Sequence, residues 1–72
     1  MPVDYALLDG QVSDAADELV IEHATYVDAC AIERLAGHIA GAGPGIRGAD
    51  FHRRLVAELR RRAIHLRTER QG

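Results

Sequence analysis

Residues 41–51 read GAGPGIRGADF, and the interpretation of this stretch decides the fold. From Gly43 the letters G-P-G-I-R-G fit the string G-x-G-x-x-G. In a dinucleotide fold that string is a turn that follows a buried β-strand and opens a helix, so that backbone amides meet a pyrophosphate. Here a long helical pattern precedes it, and too little chain follows for a βαβ unit. The chain has no lysine to serve as a phosphate-binding P-loop residue. Asp50, close to the start of the next helix, would repel a phosphate. The stretch is therefore read as a hinge. Gly41 ends one helix, Pro44 stiffens the connection, and Gly48 or Asp50 starts the next.

Working outward, residues 49–69 carry a second amphipathic pattern. Phe51, His52, Leu55, Val56, Leu59, Ala63 and Leu66 share one face, and Arg53, Arg54, Arg60, Arg61 and Arg67 share the wet one. Glu58 stands four residues from both Arg54 and Arg62, a spacing that supports a helix. Upstream, Ser13 is a suitable N-cap, followed by Asp14, Asp17 and Glu18 where a helix dipole favours acids. From there to about Ala40 there is no proline. Ala16, Leu19, Val20, His23, Val27, Cys30 and Ala31 fall on one broad face, with Ile21 and Ile32 outside it. This predicts one helix over residues 13–40, roughly 40 Å long at about 1.5 Å per residue, with a bend or break most readily at Gly37. Residues 1–12 read as an irregular lead-in whose Tyr5 and Leu8 pack on the helices.

The expected fold is all-α: a single domain over residues 1–72, built as an antiparallel hairpin of helices 13–40 and 49–69 around a Gly/Pro loop at 41–48. Charge agrees with the pairing. Residues 1–33 hold eight acids and no Lys or Arg, whereas residues 34–72 hold nine Arg and three acids. An acidic helix beside a basic one disfavours parallel and mispaired arrangements, although each exposed pair contributes only about 0–1 kcal/mol. A chain of 72 residues buries a small core, and two helices alone cannot cover faces this wide. The reading therefore expects two hairpins to associate as a four-helix bundle. With one cysteine, Cys30, no disulfide can form within the chain. That usage fits a reducing, cytoplasmic setting, and no apolar run is long enough to span a bilayer. Cationic residues are all Arg, with no Lys, which fits a GC-rich genome. In broad style the chain resembles small helical regulatory or adaptor proteins of bacteria or their phages.

No residues group into a catalytic set. His38 and His52 approach each other across the hinge and are the weak candidates for a metal. Zinc sites usually show tighter grouping such as H-E-x-x-H or paired C-x-x-C, and neither occurs here. Cys30 on the apolar face reads as a small hydrophobe. Arg34 and Arg62 border apolar stripes. In the hairpin Arg62 comes level with Asp28, giving either a buried ion pair or, with Glu33 or Asp28 as acid or base, an internal arginine pocket for an anionic substrate.

The surface formed by Arg53, Arg54, Arg60, Arg61 and Arg67 is the most suggestive feature. Such a face meets either an anionic protein surface or phosphates. The expectation is a non-enzymatic protein-interaction and regulatory module acting as a homodimer or higher oligomer, without cofactor and without membrane contact. A nucleic-acid-binding regulator of antitoxin type is the first alternative, and a small helical enzyme with an arginine pocket is the second.

Overall fold

In a computed structural model, which describes residues 4–23 and 28–71, the chain forms three α-helices. These are α1 (Tyr5–His23), α2 (Ala29–Ala42) and α3 (Ala49–Gln71). No strand occurs among the described residues, so the all-α expectation holds, but three helices replace the two of a simple hairpin.

The expected long helix over residues 13–40 is divided, and Asp28 supplies the local reason. Its backbone is extended (φ −131°, ψ 162°), and its carboxylate accepts the Ala31 amide at 2.8 Å, so it caps α2. A residue that caps a helix this way cannot also lie inside one. The lead-in also differs from expectation. Asp4 accepts the Leu7 amide at 3.1 Å and Leu8 N–H donates to the Asp4 carbonyl, so α1 starts eight residues before the expected cap. Ser13 lies in mid-helix. α1 runs through Gly10 and α2 through Gly37 without a break.

The division changes which side chains are buried. On α1, Val12, Ala16 and Val20 recur every fourth residue and turn inward, with Leu8 and Leu19 packed beside them. On α2 the inward set is Ala29, Ile32, Leu35 and Ala36. Ile32, expected off the apolar stripe, is only 2% exposed, while Cys30, expected on it, is exposed. A helical angle carried across a non-helical residue loses its phase, so positions beyond Asp28 are assigned to the wrong side. On α3, Phe51, Leu55, Leu59 and Ala63 form a strict i, i+4 ridge, and Leu59 is completely buried.

The connector runs from Gly43 to Gly48. Gly43 ends α2 at φ 81° and Gly48 opens α3 at φ 93°, conformations that cost an L residue about 1 kcal/mol or more. Gly48 N–H donates to Gly45 O at 3.1 Å, and His52 N–H donates to Gly48 O at 3.1 Å, so one glycine closes the turn and begins the helix.

Cross-helix partners give the directions. Ile39 meets His52 and Glu33 meets Arg67, so α2 and α3 run antiparallel. Asp9 meets Arg54 and Asp17 meets Arg62, so α1 and α3 run parallel. The acidic helix thus lies beside the basic one in the direction that charge was expected to disfavour. The third helix covers apolar surface of α2 and α3 that the hairpin reading left for a second chain. No helix among the described residues is long and apolar enough to cross a membrane.

Ile32→Ala should lower unfolding free energy by about 2–5 kcal/mol through transfer and cavity terms; chemical denaturation followed by circular dichroism measures this. Gly37→Ala should raise it by about 0.5–1 kcal/mol, because an added Cβ meets nothing within 4 Å. Gly48→Ala, equally unobstructed but at positive φ, should lower it by about 1 kcal/mol. Equal effects from the two glycine variants would contradict the conformational assignment.

Candidate functional site

The five arginines of the expected anionic-partner surface do not form one unoccupied cationic face. Arg53 and Arg54 both hold Asp50, at 2.5 and 3.2 Å, and Arg54 also reaches Asp9 on α1 at 3.2 Å. The Arg54 guanidinium lies 5.0 Å from the centre of the Tyr5 ring, a cation–π contact. Arg67 reaches across to Glu33 on α2 at 2.6 Å. Arg61 is paired with Glu58, whose hydrogen bond first and charge second raise the guanidinium pKa above its ordinary value. Arg60 is exposed and has no carboxylate partner among the described residues. Helical spacing separates these side chains further: Arg54 faces α1 and Arg67 faces α2, leaving Arg53, Arg60 and Arg61 on the outer side of α3.

The second candidate group, Arg34, Arg62, Asp28 and Glu33, is dispersed. The expected Arg62–Asp28 pair is replaced by Arg62 with Asp17 at 2.5 Å, because α1 lies against that side of α3 and Asp28 is occupied as a cap. Arg62 also donates to Ser13 Oγ at 3.1 Å and Ser13 O at 3.3 Å, and stands 3.8 Å from Glu58. Glu33 holds Arg67, and Arg34 is exposed. No charged or polar residue is buried among the described residues, so these four build no internal arginine pocket. Arg62 is instead a clamp between α1 and α3.

The histidines separate in the same way. His52 Nε2 donates to the Ile39 carbonyl at 2.8 Å, fixing its tautomer and pinning the start of α3 to the end of α2. His38 lines a groove with His23, Arg34, Leu35 and Ile39, apart from His52. No cluster of three metal-ligating side chains occurs among the described residues.

A surface feature missed by the sequence reading lies between α3 and the end of α2. Val56 is buried yet stands outside the main core cluster. Together with Ala40, Ala57 and the exposed Ile64 it floors an apolar groove rimmed by Arg53, Arg60 and Arg61. The signal was present in the spacing: Ala57 and Ile64 fall seven residues apart among the arginines. Val56 was assigned wholly to the core face, which hid the continuity. Apolar floor and cationic rim together suit an amphipathic segment with acidic flanks.

No family model matches the chain, and no curated protein or solved structure matches it.

Replacing Arg62 with Met, which keeps much of the stem and removes the donors, should destabilise the fold by about 1–2 kcal/mol. In a double-mutant cycle with Asp17→Asn, the coupling should be about 0.5–1 kcal/mol and should shrink in high salt, since Asp17 is half exposed. A coupling near zero at low salt would remove Arg62 as the link between α1 and α3.

Proposed function

We propose that this chain is a non-enzymatic protein-interaction module, self-associating and regulatory in role, whose docking surface is the groove on the outer side of α3. One observation carries this reading: the apolar strip of Val56, Ala57 and Ile64 bordered by three arginines, of which Arg60 has no carboxylate of its own among the described residues. The matching occupant is a helix on a protein, with apolar residues along one stripe and Asp or Glu beside them. Its stripe would cover Ile64, 62% exposed in the single chain, and its carboxylates would compete with Asp50 and Glu58 for the rim. Such contacts set orientation and association rate more than affinity.

Nucleic-acid binding by the arginines has less support. Phosphates would have to displace carboxylates from four of the five side chains, and an apolar floor contributes nothing to backbone phosphate contacts. The enzyme reading has the least, because Arg34 and Arg62 do not converge with an acid or base in a polar cavity.

The test is NMR titration of the isotope-labelled chain with two probes. One is a designed amphipathic peptide of about 20 residues, Leu on one stripe and Glu on its flanks; the other is a random-sequence DNA duplex. The peptide should shift the amides of Val56 to Ile64, with a dissociation constant that weakens as salt rises. The duplex should leave them in place. Shifts with the duplex alone would favour a nucleic-acid regulator, and silence with both would remove the groove as a docking site.

A further inference from the structure

The outer face of α1 matches the groove on α3. Opposite its buried ridge, α1 presents Leu7, Asp14 and Ile21 at seven-residue intervals, with Glu18 alongside. Leu7 is 60% and Ile21 80% exposed, high values for large aliphatic side chains. Asp14 and Glu18 make no ion pair among the described residues, although Arg47 lines the same groove, whereas Asp9 and Asp17 on the same helix are paired. The face is thus an apolar, acidic stripe, and the groove is an apolar floor with a basic rim.

We infer that the groove on α3 receives α1 of a second copy of this chain. This rests on the docking reading above and names its occupant. Charge selects the pairing. Two α3 faces would oppose Arg53, Arg60 and Arg61 to their own copies, and two α1 faces would oppose Asp14 and Glu18 to theirs. Only α1 against α3 brings opposite signs together and buries Ile21 or Leu7 against Ile64 and Val56. The two surfaces differ: one opens between α3 and α2, and the other lies on α1, with Asp14 and Glu18 on the edge of a groove shared with Arg47 and Phe51. The contact is therefore head-to-tail, and in a pair one copy keeps its groove unused and the other its α1 face. Association continues past two copies unless a ring closes, and an external acidic helix competes for the same groove.

The experiment uses the full chain in three forms: wild type, an Arg53→Glu/Arg60→Glu variant and an Asp14→Arg/Glu18→Arg variant. All substituted side chains are exposed, and circular dichroism checks that each form folds. Sedimentation velocity at low salt should show wild-type mass rising with concentration beyond a dimer, with the association constant falling about tenfold or more in high salt. Each variant alone should sediment as a single chain, since its α1 and α3 faces now carry the same sign. An equimolar mixture of the two should associate again, because both cross-contacts are then complementary. A wild type that stays a single chain overturns the inference, as do variants that associate alone or a mixture that does not reassociate. If the wild type is a single chain but the acidic peptide still shifts Val56 to Ile64, only the second copy as occupant falls; if the peptide is also silent, the docking reading falls with it.

Discussion

The structure depends on the extended backbone at Asp28, the residue that caps α2. A capping aspartate exchanges one helical backbone position for a carboxylate bond to Ala31, and that exchange divides an apolar pattern too wide for one neighbour into two narrower ones. Tyr5–His23 form α1, with an inward ridge of Val12, Ala16 and Val20. Residues after it form α2, which contributes the larger Ile32 and Leu35. Small against large allows eleven buried hydrophobic residues, Phe51 among them, to close a core among the described residues.

Electrostatics then follows packing. The acidic half and the basic half meet, but mostly through exposed or half-exposed pairs that contribute little each. Arg62 is the exception in kind: it is three-quarters covered and makes contacts with both a carboxylate and a hydroxyl on α1. The arginines that looked like one binding face in sequence are largely engaged within the chain. The surface proposed for docking is narrower, a groove in which Ile64, exposed, and Arg60, without a carboxylate partner among the described residues, stand four residues apart. Size and charge of a face are poor guides to function when neighbouring carboxylates belong to the same chain.

Much of the fold was legible. The i, i+4 ridge of α3, the glycine connector and the absence of a strand before Gly43 all follow from spacing and composition. The break after α1 was not read, because Gly and Pro were the breakers sought and Asp28 was not weighed as a cap. The available signal was Asp28 itself, a residue type that caps helices, with the Ala31 amide three positions on. Missing it misplaced Cys30 and Ile32 and put Arg62 beside Asp28. Long-range partners such as Asp17 for Arg62 depend on how helices lie against one another, which residue spacing along one helix does not contain. The groove was half legible: its arginines were identified, but of its apolar floor only Val56 was read, and that as core.

The spacing of the α1–α3 ion pairs has a further consequence. Asp9 and Asp17 are eight residues apart, as are Arg54 and Arg62, and midway between the two arginines stands Glu58. Sliding α1 by one helical turn toward its own N-terminus would bring Asp17 opposite Glu58, and sliding it the other way would bring Asp9 there. Either slip trades an attraction for a repulsion. A lone acid set between two bases thus acts as a two-sided stop, fixing the axial register of a helix whose small, smooth ridge would otherwise do little to resist sliding.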